Sequence, residues 1–220
     1  MGITLNLHPL SPAVGGVLLA IKALGLDDQV VRKEVDLSAG QSLHTVPSIE
    51  DGGFCLWNSH AIVAYLASAY GEGGSLYPQD LQKRAKVDQW LHFSSSILYN
   101  RLMDMTEPLW TKRSKVVSEE ACERAEAAFR MLDAQLDAQL EGGPASGPAG
   151  PWLCGEDMTI ADLCCVPLVA AMEIFVGASR HFPRMTAWAE HCRTHVPGYV
   201  SVVEACRQRY IAIITSKMTA

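Results

Sequence analysis

The sequence predicts a small α/β unit followed by an all-helical unit. Strand-like and helix-like patterns alternate over roughly the first third of the chain, and a glycine-rich connector follows at residues 71–78. Beyond that connector, every apolar repeat has helical spacing. We therefore expect a mixed-sheet α/β domain over residues 1–76 and a helical domain over residues 82–220.

Composition excludes several classes of protein. A chain of 220 residues can bury a substantial core, and its net charge of -6 argues against a nucleic-acid partner. No apolar run is long enough to span a bilayer and no leader is recognised, so we expect a cytoplasmic protein without a membrane partner. The seven cysteines form no CxxC pair, which favours free thiols in a reducing compartment and predicts no metal site.

The first strand and helix are the clearest elements of the α/β unit. Residues 3–7 alternate apolar and polar side chains, as a half-buried strand does. Ser11 followed by Pro12 is typical of a helix start, and Gly25 ends the apolar helical run that follows. A second strand is expected at residues 30–35.

A hairpin and a second helix complete the α/β unit. Residues 46–49 and 54–57 flank Asp51-Gly52-Gly53, which is a turn signal of the hairpin kind. Ser59 is expected to cap the helix that carries the apolar stripe of residues 62–67.

The rest of the chain predicts a helical bundle. Long helices are expected at residues 81–105 and at 118–140, the latter capped by Ser118. Thr159 to Asp162 is a capping-box variant in front of a strongly apolar helix. Two further helices, around residues 184–193 and 199–214, close the chain.

Ser11 is the first candidate functional residue. It lies where a strand turns into a helix, so backbone N–H groups and the helix dipole favour an anion there. A hydroxyl at that place can also donate a hydrogen bond to a thiolate, and a shift of roughly two pKa units makes a thiol mostly ionised at neutral pH. The alternative is that Ser11 only caps its helix.

Two other loops carry candidate binding groups. Pro47 begins a strand, where a cis bond can expose the backbone of Val46 for pairing with a peptide-like ligand. Residues 58–60 stand at the next helix start, which is again an anion site. Together the three loops suit a small anionic peptide that contains sulfur.

The segments that carry these residues resemble the glutathione transferases of the arthropod delta and epsilon classes, the epsilon class most closely. The resemblance rests on Leu10-Ser11-Pro12-Ala13-Val14, His44-Thr45-Val46-Pro47-Ser48 and Leu56-Trp57-Asn58-Ser59-His60-Ala61-Ile62. Residues 83–93 and 157–162 resemble the family's fourth helix and its helical-domain folding motif. The match runs from about residue 3 to about residue 205.

The resemblance implies a thioredoxin-like N-terminal domain, an all-helical C-terminal domain and a cytoplasmic homodimer. Glutathione is the implied co-substrate, with Ser11 as the catalytic hydroxyl. The implied glutathione-binding residues are His44, Thr45, Val46, Pro47, Asn58, Ser59 and His60. The implied pocket for a hydrophobic substrate is lined by Leu10, Ala13, Tyr99, Leu102, Met103 and Thr106.

Three departures from the family pattern affect the expected site. Asn58 stands where the family has a carboxylate that contacts the glutamyl ammonium, so affinity for glutathione can fall. Gly15 replaces a common arginine. About ten residues of the family pattern have no counterpart between Leu43 and His44, either as a true deletion or as an omitted stretch.

The function expected from the resemblance is conjugation of the glutathione thiolate to hydrophobic electrophiles in detoxification, with elimination or peroxidase activity as variants. The alternative is a related protein with weakened glutathione binding that carries hydrophobic ligands or joins a complex. A thiol–disulfide oxidoreductase would need cysteine in place of Ser11 and ranks last.

Overall fold

The structure is a computed structural model that describes residues 2–9, 11–35, 46–141, 150–176 and 182–219. The four strands of the α/β unit are β1 (Ile3–Leu7), β2 (Val30–Glu34), β3 (Ser48–Asp51) and β4 (Phe54–Trp57). Its two α-helices are α1 (Pro12–Ala23) and α2 (Ser59–Tyr70). The helical unit comprises α3 (Leu81–Phe93), α4 (Tyr99–Trp110), α5 (Glu119–Glu141), α6 (Ile160–Val176), α7 (Pro183–His195) and α8 (Ala205–Thr219).

The α/β unit is built on one mixed sheet of strand order β2-β1-β3-β4. Strand β1 pairs in parallel with β2 and antiparallel with β3, and β3 forms a hairpin with β4. The two-residue turn Gly52-Gly53 has positive φ at both residues, which two glycines adopt without steric cost. The predicted hairpin and mixed sheet are confirmed.

The predicted apolar faces are the buried ones. Ile3, Leu5 and Leu7 of β1 are buried, while the residues between them are only partly covered. Helix α2 likewise buries Ile62 and Leu66. The two long helical segments expected at residues 81–105 and 118–140 bury their regularly spaced apolar side chains: Val87, Trp90, Leu91, Leu98, Leu102, Ala125, Phe129, Leu132 and Leu136.

A π-helical segment, Ser94–Leu98, joins α3 to α4. The hydroxyls of Ser95 and Ser96 both donate to the backbone carbonyl oxygen of His92, at 3.1 and 2.6 Å. Side-chain bonds of this kind compete with the regular helical pattern. The single helix expected over residues 81–105 is therefore two α-helices with a wider turn between them, and such turns are frequent at functional sites.

Helices α1 and α6 join the two units by close backbone contact. A Cβ atom added at Gly16 would lie 3.1 Å from the carbonyl oxygen of Leu163 and 3.2 Å from Cα of Cys164. One added at Gly15 would lie 3.0 Å from Cβ of Pro167. Distances this short are tighter than most Cβ contacts, so a larger residue at either position would require α1 and α6 to move apart by a few tenths of an ångström.

The start of α6 is organised by the buried carboxylate of Asp162. One of its oxygens accepts hydrogen bonds from the backbone N–H of Leu153 and from Nε1 of Trp188, both at 2.9 Å. The other accepts from the backbone N–H and the hydroxyl of Thr159, at 2.9 and 3.3 Å. Burial raises the pKa of Asp162, and these four hydrogen bonds oppose that shift. The predicted capping box thus also ties α6 to α7 and to the segment before it.

Helix α7 takes its N-terminal cap from another helix. Phe182 precedes the helix and provides no side-chain cap, while Oδ1 of Asp133 in α5 accepts from the backbone N–H groups of Arg184 and Met185 at 2.8 and 2.9 Å. A carboxylate there satisfies two orphan donors and faces the positive end of the helix dipole.

We expect Asp133→Ala to lower the free energy of unfolding by about 1 to 2 kcal/mol, the usual effect of losing a helix cap. Urea unfolding checks this, with Asp133→Asn as the matched control because its side-chain oxygen can still accept both bonds. Equal losses in the two variants would contradict the capping role.

Within the described ranges, no helix combines the length and apolar character needed to cross a membrane.

Candidate functional site

A cavity of about 270 Å³ lies between the two units. Its walls come from α1, the start of β3, the junction of β4 with α2, the π-helical segment with the first residue of α4, and α6. The lining residues are Ala13, Gly16, Val46, Pro47, Trp57, Asn58, Ser59, His60, Ser95, Tyr99, Cys164 and Leu168. Six residues singled out from the sequence in separate segments of the α/β unit, together with Tyr99, therefore line one space.

Ser11 occupies the N-cap position of α1, two residues before Ala13. Its backbone is extended and Pro12 is the first helical residue, as the sequence predicts. The hydroxyl makes no capping hydrogen bond to the helix. The simple capping alternative therefore has no support, and the positive end of the α1 dipole is present at this serine. Ser11 itself is not among the residues that line the cavity.

Val46 and Pro47 enter the cavity wall immediately before β3. The peptide bond between them is cis, and Pro47 is buried while Val46 is partly exposed. His44 and Thr45, the glutathione-binding residues expected just before them, lie outside the described residues. The same holds for Leu10, which was expected to line the hydrophobic pocket. The same is true of the point between Leu43 and His44 where the family pattern is shortened.

Asn58, not Ser59, caps α2. Its side-chain oxygen accepts from the backbone N–H groups of His60 and Ala61, at 3.0 and 3.3 Å. The expectation that Ser59 caps the helix is wrong, because Ser59 is already the first helical residue and Asn58 has the non-helical backbone that a cap needs. Asn58 adopts φ 77° and ψ 121°, outside the left-handed helical region that asparagine favours, and sparsely populated backbone conformations of this kind cluster at ligand sites.

Ser59 and His60 present polar atoms at the same helix start. Ser59 is buried, and its hydroxyl lies 3.4 Å from Nδ1 of His60. Among the described residues, the buried Nε2 of His60 has no hydrogen-bond partner. Burial, assisted by the nearby His92, lowers the pKa of His60 to about 4, so the ring is neutral near pH 7. A neutral ring with an unpaired buried nitrogen suits a polar ligand atom or water.

This lowered pKa predicts a loss of stability in mild acid. The unfolded chain protonates the ring below its ordinary value of 6.5, whereas the folded chain does so only near 4. Stability therefore falls as pH drops through 6.5 and stops falling from this cause near 4. Between pH 7 and pH 5 we expect this ring alone to lower the free energy of unfolding by about 2 kcal/mol.

Urea unfolding at the two pH values measures the effect, with His60→Gln as the comparison because glutamine does not titrate. The difference between wild type and variant removes the contribution of the other histidines. The same pH dependence in both proteins would contradict a buried, neutral His60.

Of the described residues expected to line the hydrophobic substrate pocket, two line the cavity and three do not. Tyr99 lines the cavity and is 37% exposed, and Ala13 lines it from α1. Leu102 and Thr106 are fully buried, and Thr106 donates its hydroxyl to the carbonyl oxygen of Leu102 at 2.8 Å. Leu102, Thr106 and the partly buried Met103 are not among the residues that line this cavity.

Five lining residues were not singled out as site residues from the sequence: Gly16, Trp57, Ser95, Cys164 and Leu168. Trp57 is 59% exposed. Its position directly before Asn58 in the sequence could have indicated that it lies at the site. Cys164 and Leu168 lie inside an apolar helix, where sequence spacing does not separate a cavity wall from core. Their role depends on the contact between α1 and α6.

Over the part of the chain that the structure describes, no group of three or more histidine, cysteine or acidic side chains is arranged to hold a metal ion.

Comparison with known proteins identifies the family. The model of the glutathione S-transferase N-terminal domain matches residues 1–68, and that of the C-terminal domain matches residues 97–195. Glutathione S-transferase 1 of Manduca sexta is 35% identical over 204 residues, covering 87% of this chain and 88% of that protein.

Solved structures agree with this match. An epsilon-class glutathione S-transferase of the housefly, Musca domestica, superposes with a TM-score of 0.86 at 31% identity, covering 98% of each chain. A delta-class glutathione transferase of Nilaparvata lugens gives a TM-score of 0.85 at 30% identity, covering 98% of this chain and 99% of that one. The N-terminal unit is thus the thioredoxin-like domain and the C-terminal unit the helical domain of these proteins. The chain belongs to the glutathione S-transferase family and is related to its insect delta and epsilon classes.

Proposed function

We propose that this protein is a glutathione transferase that joins the thiolate of glutathione to hydrophobic electrophiles. The observation that carries the proposal is the cavity itself, which gathers Val46, Asn58, Ser59 and His60 beside the helix that Ser11 begins. An exposed backbone, a helix N-terminus and a neutral histidine suit the amide, carboxylate and ammonium groups of a short peptide.

Each of these groups has a part in holding glutathione. The backbone of Val46 before Pro47 pairs with the cysteinyl residue, while Ser59 and the N-terminus of α2 bind the γ-glutamyl carboxylate. Nε2 of His60 supplies a further polar contact to glutathione. This is supported by the lack of a hydrogen-bond partner for that buried nitrogen among the described residues. By the resemblance His44 approaches the glycyl end, and Thr45 is a further glutathione-binding residue.

The chemical step follows from Ser11. Its hydroxyl donates a hydrogen bond to the glutathione sulfur, which favours the thiolate over the thiol and lowers the pKa of the bound thiol. The thiolate then attacks an electrophilic carbon: the sulfur–carbon bond forms, the bond to the leaving group breaks, and the leaving group departs with the electron pair. The positive end of the α1 dipole adds to the stabilisation of the negative sulfur.

The electrophile is apolar by this proposal. Tyr99 and Leu168 provide an aromatic and an aliphatic wall beside Ala13 in the same cavity. Apolar walls with a few polar groups are typical of small-molecule sites. The proposal also includes a role in detoxification and glutathione-dependent elimination or peroxidase activity as variants. It places the enzyme in the cytoplasm as a homodimer. The relatives are transferases by name, which favours the enzyme over the ligand-carrier hypothesis.

Calorimetric titration with glutathione, paired with a conjugation assay on a generic aryl halide, tests the function. Binding with turnover supports the enzyme. A folded protein that neither binds glutathione nor turns over would contradict the proposal and leave the carrier hypothesis as its replacement.

The family has a carboxylate where this chain has Asn58, and this difference gives a sharper test of the binding mode. We expect Asn58→Asp to tighten glutathione binding about fivefold, because a charged acceptor near the glutamyl ammonium adds about 1 kcal/mol. Aspartate also caps helices as well as asparagine does, so α2 should remain intact. Calorimetry measures the affinity, with Asn58→Ala as the control that loses both cap and acceptor. Weaker binding in Asn58→Asp would contradict an ammonium group at this position.

A further inference from the structure

Helix α7 carries two histidines one turn apart that lie on the same face. His191 and His195 are stacked with ring centroids 4.0 Å apart and planes inclined by 23°. His195 is exposed and His191 partly buried, where it packs edge-on against Trp152 with centroids 4.5 Å apart. None of the residues that line the glutathione cavity belongs to α7.

Hydrogen bonding at His195 fixes which of its nitrogens is free to bind a ligand. Nδ1 lies 3.0 Å from the carbonyl oxygen of His191, and a carbonyl oxygen can only accept, so Nδ1 carries the proton. The hydroxyl of Thr194 lies 2.7 Å from the same nitrogen and can accept from it too. In the neutral ring Nε2 therefore holds the lone pair. A ring whose other N–H donates to a backbone carbonyl is the usual state of a metal-binding histidine.

We infer that His191 and His195 form a chelating site for a divalent transition-metal ion of the kind that prefers imidazole. Histidines four residues apart on a helix share one face, and metal–nitrogen bonds of about 2.0 to 2.1 Å bring two donors on one ion to roughly 3 Å from each other. Ring centroids 4.0 Å apart place both imidazoles within reach of one ion, and the rings turn so that a free nitrogen of each points at it. Nickel, copper and zinc suit imidazole donors, and water completes the coordination.

The ion's first effect is on the fold. Two ligands on successive turns of α7 are held together only in the folded chain, so the ion binds the native state better than the unfolded one and raises its stability. Because His191 also packs on Trp152, the bound ion holds the end of α7 against the segment that leads into α6. This site is independent of the proposed glutathione chemistry.

Nickel titration of the intact protein, followed by calorimetry and by the thermal midpoint, tests the inference. His195→Asn is the chosen variant because its side-chain N–H can keep the bond to the His191 carbonyl while Nε2 is lost. The matched control is His92→Asn, which removes another exposed histidine, one that lies near His60. His195→Gln repeats the test if the asparagine variant folds poorly.

We expect the wild type and His92→Asn to bind one nickel ion per chain at this site and to show a higher thermal midpoint with nickel. His195→Asn should bind at least about tenfold more weakly and lose the shift, because the second imidazole of a chelate acts at high effective concentration. Equal binding and equal shifts in wild type and His195→Asn would overturn the inference. Loss of binding in His92→Asn alone would overturn it as well, because it would place the ion at His92 and the neighbouring His60.

Discussion

Ser11→Ala is expected to lower the rate of glutathione conjugation at neutral pH by about 10- to 100-fold. In the proposed mechanism the serine hydroxyl favours the bound thiolate by about one to three pKa units, or roughly 1.4 to 4 kcal/mol, and alanine removes that donor. The helix dipole remains, so the residual rate exceeds that of the reaction without enzyme. Since the hydroxyl makes no capping bond to α1, the variant should lose little stability.

Two measurements separate this role from a structural one. The ultraviolet absorbance of the thiolate reports the pKa of bound glutathione, which should rise in Ser11→Ala, and the rate should recover as pH approaches the new pKa. Ser95→Ala is the matched control, since Ser95 is a second hydroxyl in the cavity wall whose proton is already donated to the carbonyl of His92. An unchanged thiol pKa with unchanged turnover would contradict the assigned mechanism.

Asp162→Ala is expected to lower the free energy of unfolding by about 4 kcal/mol. The substitution leaves the N–H groups of Leu153, Thr159 and Trp188 buried without their acceptor, and each such group costs about 1 to 3 kcal/mol. The loss is one of stability, because these hydrogen bonds connect α6 with α7 and with the segment before α6.

Urea unfolding at a fixed protein concentration measures this loss, because the stability of the proposed homodimer would depend on concentration. Asp157→Ala is the control: that carboxylate is exposed in the same loop, and a change within about 0.5 kcal/mol is expected. Asp162→Asn keeps the volume, but its amide nitrogen can only donate, and both carboxylate oxygens receive donors. A loss of about 2 kcal/mol or more is therefore expected there too. Full stability in Asp162→Asn would contradict the hydrogen-bond account.

The sequence predicts most of the fold, because its local signals act over a few residues. The alternation of β1, the glycine turn at Gly52 and the cap before α5 are each decided by neighbouring side chains, and each is confirmed. The error at α2 shows the limit of such signals. Asn58 and Ser59 are both good caps, and the backbone turn at the end of β4, which periodicity does not specify, gives the role to Asn58.

The candidate site is less predictable, because its walls come from both units. Val46, Asn58 and His60 follow from loop positions in the first unit, and their shared cavity depends on the sheet order. Leu102 and Thr106 illustrate the converse. They lie on the helix that leads on from the cavity wall, but the wider π-helical turn at residues 94–98 shifts the angular position of everything after it. A regular period of 3.6 residues carried through that turn cannot say which α4 side chains face the ligand.

The contact made by Gly15 and Gly16 has a consequence for how the molecule comes apart. Gly15 and Gly16 of α1 pack against the backbone and Pro167 of α6, and the two units share one hydrophobic core. Unfolding of either unit would therefore expose apolar surface of the other. Melting should therefore be a single cooperative event across both halves. The same coupling means that a substitution which disorders the start of α6 should also disturb the thiol chemistry proposed at the start of α1.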